Sequence, residues 1–463
     1  MLFFFIILSS CVTFQPSTLI TPVQIDSLLT KEIFNTAQAG IAVYDLTDEK
    51  LLFQHNSNLL FRPASNQKIL TTAAAYLFLG EDYNFSTSVY YQGEIKDSIL
   101  KGDIFLKGNF DPGFTVEDLD QLVRQVKNYG IKEIAGNIYA DISAMDSLYW
   151  GKGWMWDDEA QHITPLPVSG NIIKLITKPG EIGYPASTEM IPATNFCKVK
   201  NFSNTVNSGK NTLTATKELH NNKVFVLKGN IPISSGPDTL SLIVTNSTQY
   251  FLTLTKERIA KAGIVLKGVT DTLSLSPVAK KIFSIEHNIV PIINQTNKYS
   301  DNFNAELILR TLALKHFGKN ASAQNGFEYI DSLISLAGIK TKDYRLADGS
   351  GLSHYNLVSA QLLISVLKYI YYNHPNIFQK MYDSFPIAGI DGTLKDRMKN
   401  SNAAGKVHAK TGGLSGVSTL SGYIQSKNNH MIAFSIMIQN YVGSAERARQ
   451  IQDRLCEIIF NQN

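Results

Sequence analysis

The sequence predicts an α+β fold in which helices cover an antiparallel sheet and a long β-rich insertion interrupts the sheet domain. Strand patterns at 417–424 and 431–438 are joined by a short polar turn, which is typical of an antiparallel hairpin. Helical patterns occur at 69–77 and at 444–460. The region 81–284 contains short strand patterns separated by Asn, Gly and Pro turns, so it is expected to be the insertion.

The order of these elements divides the chain, whose length suits two or three domains. Residues 22–80, which include a predicted hairpin at 41–54, are expected to fold together with residues 285–463. Residues 81–284 would leave and return as the insert, and residues 1–21 would form a signal peptide and tether. The net charge of +4 is mild and no basic block is present, which argues against nucleic-acid binding.

The first motif that carries chemistry is Ser65-Asn66-Gln67-Lys68, at the start of the helical pattern. Pro63 just before it favours a helix start, where the helix dipole stabilises developing negative charge. Lys68 is three residues beyond Ser65, so its amine points to the same side as the hydroxyl. A buried lysine can be neutral enough to take the serine proton, which predicts a nucleophile and its base. Alone, the pattern is also compatible with an ordinary helix cap and a surface lysine.

The second motif, Ser300-Asp301-Asn302, precedes a helical pattern at 305–310. Ser, Asp and Asn cap helices in many proteins, so capping alone would explain them. In a catalytic reading, Ser300 passes a proton to a leaving amine and the Asn302 amide holds the substrate backbone.

The third motif is Lys410-Thr411-Gly412, in a predicted strand that precedes the C-terminal hairpin. Glycine on an edge strand lets a ligand lie against the backbone, where an extended substrate can pair as an added strand. Lys410 would supply positive charge for a terminal carboxylate, and Thr411 a hydroxyl donor. The backbone N–H groups of Ser65 and Gly413 would form an oxyanion hole.

In this order, the three motifs resemble those of D-alanyl-D-alanine carboxypeptidase/endopeptidases, the low-molecular-mass penicillin-binding proteins with large inserted domains. The resemblance includes Asp348-Gly349-Ser350-Gly351-Leu352-Ser353, which would shape the rim of the site. It implies a β-lactamase/transpeptidase-like domain, with an insert that forms two smaller subdomains. It also implies that Ser65 attacks the D-Ala-D-Ala bond of peptidoglycan stem peptides and that β-lactam antibiotics acylate Ser65. No His/Cys cluster has metal-ligand spacing, so no metal or cofactor is expected.

The chain departs from this family at two positions. Gly413 stands where the family usually has Thr or Ser, so one hydroxyl for the terminal carboxylate is missing, and His354 stands where Arg is frequent. In the insert, Asp141 matches a family aspartate that approaches the amine of the stem-peptide side chain, and a turn-capping role is the alternative. Three tryptophans follow it (Trp150, Trp154 and Trp156), either as the core of the insert or as a platform for a sugar or peptide.

Two other functions share these motifs. A serine β-lactamase would need a group that activates water for fast deacylation, and the sequence identifies none. A penicillin-sensing or wall-binding protein without turnover would have lost one of the motif residues, and all are present. The sequence leaves open the balance between carboxypeptidase and endopeptidase activity and the third residue of the stem peptide.

The N-terminal run Leu2 to Leu8 is apolar, too short to span a bilayer, and typical of a signal peptide. Leu8-Ser9-Ser10-Cys11 is similar to a lipoprotein box, so Cys11 is a candidate for lipidation and membrane attachment. We therefore expect a protein of the periplasm or cell envelope. Cys197 and Cys456 are far apart in sequence, and nothing in the sequence indicates that they pair.

Overall fold

The structure is a computed structural model that describes residues 22–218 and 221–461. The predicted signal segment 1–21, with Cys11, lies outside the described residues. The α-helices of the described part are α1 (Pro22–Leu29), α2 (Gln67–Phe78), α3 (Val116–Asn128), α4 (Ser247–Lys261), α5 (Ile289–Lys298), α6 (Asn302–Phe317), α7 (Ala323–Leu336), α8 (Ala360–Asn373), α9 (Pro375–Ser384) and α10 (Glu446–Phe460).

The strands, in chain order, are β1 (Gln38–Asp45), β2 (Lys50–His55), β3 (Asn84–Lys96), β4 (Ile99–Gly108), β5 (Glu133–Ile134), β6 (Ile138–Asp141), β7 (Ile172–Lys178), β8 (Ser187–Ile191), β9 (Lys198–Val206), β10 (Thr214–Glu218), β11 (Asn221–Pro232), β12 (Asp238–Ile243), β13 (Val265–Leu266), β14 (Thr270–Thr272), β15 (Lys280–Asn288), β16 (Val407–Leu414), β17 (Val417–Gln425) and β18 (Met431–Gln439).

One antiparallel sheet combines strands from both ends of the chain, in the order β16-β17-β18-β1-β2. Strand β1 lies between β18 and β2, so the N-terminal hairpin completes a sheet begun by the C-terminal strands. Helix α8 packs against β18 and β1, and α10 packs against β17. Helices thus cover an antiparallel sheet, which confirms the predicted α+β fold.

Both faces of this sheet are buried, because alternate side chains of its central strands enter two different apolar clusters. On β18, Phe434 and Ile436 join a cluster with α1 and α10, whereas Ala433 and Met437 join a cluster with α2, α6 and α8. Since side chains alternate across a strand, this arrangement requires a nearly continuous apolar sequence in the central strands. It explains why 431–438 has so few polar residues.

Strand β16, which carries the Lys-Thr-Gly motif, is the edge of this sheet. Its first half is covered, because Ile387 forms a bridge with His408 and the Ala409 N–H donates to the Pro386 carbonyl. The open edge therefore begins at Lys410, as added-strand binding requires.

The residues between α2 and α5 form further sheets. The largest has the order β13-β5-β4-β3-β15, with β6 paired to both β4 and β14. Two three-stranded sheets follow, β10-β11-β9 and β12-β7-β8. The returning strand β15 pairs with β3 up to Asn288, so it spans the predicted boundary between residues 284 and 285.

The insert packs against helix α6 through a mixed apolar cluster. Trp154 and Ile163 of the insert meet Phe303 and Leu307 of α6 in this cluster. Buried Arg310, also on α6, is paired with Asp146 of the insert at 3.1 Å. The tryptophans of this segment therefore differ in their surroundings. Trp154 is buried where the insert meets α6, while Trp156 is 90% exposed.

Candidate active site

Ser65 lies in a 3-10 turn, Ala64–Asn66, that runs directly into α2. Two glycines allow neighbouring backbone to approach this turn closely. A Cβ on Gly351 would stand 1.8 Å from the Ala64 carbonyl oxygen, and a Cβ on Gly412 would stand 2.9 Å from the Ser65 nitrogen. The turn that carries the predicted nucleophile is thus packed between the rim loop and the edge strand β16.

Lys68 has three polar partners, and their chemistry determines which way each hydrogen bond can run. Its Nζ lies 2.6 Å from Asn302 Oδ1, 2.7 Å from the Ser350 carbonyl oxygen and 2.9 Å from Ser65 Oγ. The amide and carbonyl oxygens can only accept, so they occupy two N–H groups of the amine. A neutral Lys68 then directs its lone pair at the remaining partner, the Ser65 hydroxyl. The geometry is that of a base positioned on its nucleophile.

The charge state of Lys68 reflects two opposing effects. Complete burial lowers the pKa of Lys68 to about 8, although the carboxylates of Asp348, Asp301 and Glu306 act in the opposite direction. About a tenth of the amine is consequently neutral at pH 7, far more than an exposed lysine would provide.

Lys410 and Ser300 form the second half of the site. Lys410 Nζ donates to Ser300 Oγ at 2.9 Å and to the Thr411 carbonyl oxygen at 2.8 Å. Burial, assisted by the nearby Lys68 charge, holds the pKa of Lys410 well below its ordinary value. Ser300 has a left-handed backbone (φ 62°), which is strained for a residue with a side chain. Its hydroxyl is therefore fixed next to a proton donor.

The Ser-Asp-Asn motif combines capping with placement of an amide. Asp301 is the N-cap of α6, and its Oδ1 accepts from the Asn304 N–H at 2.9 Å. Asn302 begins the helix and turns its side-chain oxygen to Lys68. The capping interpretation and the catalytic interpretation therefore apply to different residues of one motif.

Sequence reasoning missed one residue of this site, Glu306, and the full role of the rim loop. Glu306 is completely buried one turn after Asn302, and its Oε1 accepts from the N–H groups of Gly349 and Ser350 at 3.0 and 2.8 Å. Burial, with a contribution from Asp348, raises the pKa of Glu306 to about 7. Glu306 thereby orients the Ser350 carbonyl that Lys68 uses.

Asp348 organises the rest of the rim loop. Its two oxygens accept from the Gly351 and Ser353 N–H groups, at 2.7 and 2.6 Å, and from the Trp154 indole at 2.9 Å. An indole from the insert is therefore part of the structure that positions the base. The only sequence signal for this loop was its glycine-rich motif.

A cavity of about 500 Å³ opens beside these groups. Its lining includes Ser65, Ser300, Thr411, Gly412 and Gly413. At Gly413 an added Cβ would meet only the Val417 carbonyl oxygen, at 4.0 Å, so the missing hydroxyl leaves open space. Charged residues also line the cavity: Asp396, Arg397, Glu446, Arg449 and Asp453.

Asp141 is not brought into this cavity. It ends β6, is 1% exposed, and accepts from the Ser143 and Leu275 N–H groups, with Lys107 at 3.5 Å. Burial alone would raise the pKa of Asp141, but these partners outweigh it and lower the pKa. Both carboxylate oxygens are occupied within the protein, so the geometry supports the turn-capping alternative rather than a contact with substrate.

Among the described residues, one group has side chains close enough to hold a metal ion: Asp45, Asp48 and His430. It lies where β1 leaves the sheet, and its members already interact, with His430 Nδ1 at 2.8 Å from Asp45 Oδ2. No hydrogen bond described above joins these three residues to Ser65, Lys68 or Ser300. Cys197 and Cys456 are both buried free thiols.

The fold and this arrangement define a class of protein: a serine acyl-enzyme peptidase of the penicillin-binding type. The chain belongs to the D-Ala-D-Ala carboxypeptidase 3 (S13) family, whose sequence profile matches residues 22–462. It is a serine-type D-Ala-D-Ala carboxypeptidase, which confirms the activity predicted from the motifs and favours it over the β-lactamase alternative.

Two curated relatives match most of the chain. The D-alanyl-D-alanine carboxypeptidase DacB of Haemophilus influenzae is 28% identical over 426 residues, covering 89% of this chain and 88% of that protein. The D-alanyl-D-alanine carboxypeptidase of Actinomadura sp. strain R39 is 29% identical over 470 residues, covering 95% and 85%.

Solved structures give the same result for the fold. The crystal structure of penicillin binding protein 4 (dacB) from Haemophilus influenzae superposes with a TM-score of 0.83 at 25% identity, covering 94% of this chain and 99% of the other. The same protein complexed with a novel β-lactam gives a TM-score of 0.76 at 26% identity, with coverage of 93% and 97%.

Proposed function

We propose that Ser65 is the acylated nucleophile, Lys68 its base, and Ser300 with Lys410 the proton relay to the leaving amine. The observation that carries this proposal is the Lys68 amine, fixed by two pure acceptors and aimed at Ser65 Oγ. Lys68 takes the hydroxyl proton as Ser65 Oγ attacks the carbonyl between the two D-alanines. The developing oxyanion is held by the N–H groups of Ser65 and Gly413.

Collapse of the tetrahedral intermediate requires a proton on the departing amine. Ser300 donates its hydroxyl proton to that nitrogen and is reprotonated by Lys410, whose Nζ donates to Ser300 Oγ. The Asn302 amide nitrogen donates to the substrate backbone, while Thr411 and the open edge of β16 hold the C-terminal residue. After D-Ala has left, water attacks the acyl-enzyme carbonyl and gives its proton through Ser300 to Lys410. Lys68 returns its proton to Ser65 Oγ as the acyl bond breaks, so both amines regain their starting charge.

The substrate is the peptide stem of peptidoglycan, and β-lactams acylate the same serine. The carboxypeptidase relatives and the β-lactam complex of the Haemophilus protein support both assignments. Endopeptidase cleavage of cross-links is proposed as a second activity, because a cavity of about 500 Å³ has room for a leaving group larger than alanine.

The same reasoning leads to a proposal for organisation and location. Residues 22–80 and 285–463 form the catalytic domain around the sheet β16-β17-β18-β1-β2, and residues 81–284 form the insert as two subdomains. The protein acts in the periplasm or cell envelope after removal of a signal segment, with Cys11 as its lipid attachment point. In the part of the chain that the structure describes, no helix has the length and apolar character to cross a membrane.

Intact-mass analysis with a penicillin tests the nucleophile. The mass should rise by one drug molecule and stay raised for minutes, because no deacylating base is recognisable. Ser65→Ala should abolish the adduct. Ser365→Ala is a matched control, because Ser365 and Lys368 repeat the Ser-x-x-Lys spacing on α8. An adduct that persists in Ser65→Ala, or a wild-type protein that hydrolyses penicillin rapidly without accumulating one, contradicts the proposal.

A further inference from the structure

A separate cavity of about 590 Å³ lies in the insert, between the tryptophan segment 150–162 and the strands β10, β11 and β12. One wall is aromatic, formed by Trp150 and Trp156. Apolar side chains that include Phe225 and Ile243 form another part of its lining. Pockets that bind small molecules combine apolar walls of this kind with a few placed polar groups.

The two indoles of the wall differ in how they are held. Trp150 packs edge-on against Trp154, with ring centroids 5.1 Å apart, and against His162 at 5.8 Å. Trp156 is 90% exposed, which leaves its large apolar face open to solvent. An exposed indole beside an anchored one forms a platform, since apolar surface favours leaving water.

The polar groups of the cavity are carboxylates and hydroxyls. Asp157, Asp158 and Glu159 line it together with hydroxyl residues that include Thr245. The Thr245 Oγ1 atom is buried and, within the described residues, has no hydrogen-bond partner. An unpaired buried hydroxyl is destabilising, so a ligand group that hydrogen-bonds at this position would be favoured.

The charges of the cavity distinguish between two kinds of ligand. A cationic amine would match the carboxylates and the indoles. Lys217, however, lines the same cavity, so the lining carries both signs of charge; burial lowers the pKa of Lys217, and Glu159 acts in the opposite direction. Neutral hydroxyl groups are compatible with both signs, because they donate to carboxylates and accept from the lysine.

Flat apolar faces bordered by many hydroxyl-binding groups suit a pyranose sugar, whose C–H faces stack on indoles while its hydroxyls point outward. We infer that this insert cavity binds the amino-sugar glycan strand of peptidoglycan, with Trp156 as the stacking platform. The inference rests on the proposed function, in that the wall polymer is the substrate.

The position of the cavity relative to the active site supports this ligand. Trp150 contacts Trp154, and the Trp154 indole donates to Asp348 of the rim loop at 2.9 Å. The segment 150–162 therefore lines the insert cavity and also contacts the rim loop of the active site. Because stem peptides are attached to the sugar strand, a glycan held here would raise the local concentration of stems near Ser65.

The chain has three tryptophans, and all lie in this segment, so intrinsic tryptophan fluorescence reports on the cavity. The probe is a peptide-free oligosaccharide of alternating N-acetylglucosamine and N-acetylmuramic acid, titrated into the full chain. We expect a saturable change in fluorescence for the wild type. Trp156→Ala should weaken binding at least tenfold, measured by calorimetry because this variant lacks one fluorophore. The control is Phe202→Ala, because Phe202 is 65% exposed on β9 and does not line the cavity.

Activity assays separate this site from the active site. Trp156→Ala should release D-Ala from a soluble pentapeptide at the wild-type rate, and from isolated sacculi several-fold more slowly. Thr245→Val, which removes the unpaired hydroxyl with little change in shape, should also weaken glycan binding.

The inference is overturned if the wild type forms its Ser65 penicillin adduct but shows no saturable glycan binding. It is overturned equally if Trp156→Ala binds glycan as the wild type does, or if a diamine such as cadaverine occupies the cavity and the sugar does not. Absence of the penicillin adduct would instead contradict the proposed function, so the two failures are distinguishable.

Discussion

Replacing Glu306 by glutamine should shift the acylation of Ser65 to lower pH. The carboxylate accepts from the Gly349 and Ser350 N–H groups, and the next carbonyl oxygen, that of Ser350, accepts from Lys68. Glutamine keeps a side-chain oxygen for these bonds and removes the negative charge. The ammonium form of Lys68 then loses a stabilising neighbour, so the pKa of Lys68 should fall.

The size of the shift follows from Coulomb's law. Two unit charges about 6 Å apart interact by about 2–3 kcal/mol at an effective dielectric constant of about 20. Two features reduce this value: Glu306 is itself only partly ionised, with a pKa of about 7, and Asp348 and Asp301 act more strongly on Lys68. We therefore expect a fall of about one pKa unit in Lys68, equivalent to about 1.4 kcal/mol.

The assay is the second-order rate constant for acylation by a fluorescent penicillin, measured between about pH 5.5 and 9.5. In the wild type, the rate should rise with pH as Lys68 loses its proton, with a midpoint near its pKa of about 8. In Glu306→Gln the midpoint should lie about one pH unit lower. At pH values below the new midpoint, acylation should be up to about tenfold faster than in the wild type.

Asp331→Asn provides the control. Asp331 is a partly buried carboxylate on α7 that accepts from the Tyr344 hydroxyl at 2.7 Å, and it does not act on the Lys68 pKa. Its pH profile should match that of the wild type. If Glu306→Gln folds and keeps the wild-type midpoint, the charge of Glu306 does not reach Lys68 and the electrostatic reasoning is refuted.

Three further changes have definite expected outcomes. Ser65→Ala and Lys68→Ala should each abolish the penicillin adduct, and the double variant should be no worse than either, because nucleophile and base act as one unit; detectable acylation of Lys68→Ala would remove Lys68 as the base. Gly413→Thr should lower KM for a D-Ala-D-Ala peptide about threefold to tenfold, because a hydroxyl there adds one hydrogen bond to the terminal carboxylate, and an unchanged KM would place the carboxylate elsewhere. Asp141→Ala should lower the free energy of unfolding in urea by about 1–3 kcal/mol, because it leaves buried N–H groups unpaired; equal kcat/KM losses for peptides with and without an amine on the third residue would agree with this structural role.

Local sequence patterns were sufficient to predict the elements of the sheet domain. The predicted strands at 417–424 and 431–438 are β17 and β18, and the predicted C-terminal helix is α10, which begins at Glu446. The strands are short, nearly continuous apolar runs bounded by turn residues, and the helix follows the 3.6-residue period; both signals are set by neighbouring residues alone. The position of β1 between β18 and β2 depends on contacts between the two ends of the chain. A local pattern therefore cannot predict this strand order.

The buried polar residues of the site were harder to predict. Glu306 follows Asn302 at a spacing that would equally suit a surface carboxylate on a helix. Its burial comes from the rim loop, whose Gly349 and Ser350 N–H groups donate to its carboxylate, and this long-range contact cannot be predicted from any local pattern. For Asp141, a matching motif suggested contact with substrate, whereas the structure buries its carboxylate under neighbouring turns, so the substrate contact stays a prediction.

Lys68 and Asn302 are hydrogen-bonded although 234 residues, including the insert, separate them. The two strands at which the chain enters and leaves the insert account for this. Strand β3 begins shortly after α2, strand β15 ends at the start of α5, and the two pair antiparallel with Asn84 opposite Asn288. Asn288 also caps α5 and donates to the Glu81 carbonyl at 2.8 Å. The paired strands thus place the end of α2 next to the start of α5, so a short local connection, rather than a long flexible loop, sets the distance between the nucleophile helix and the Ser300 loop.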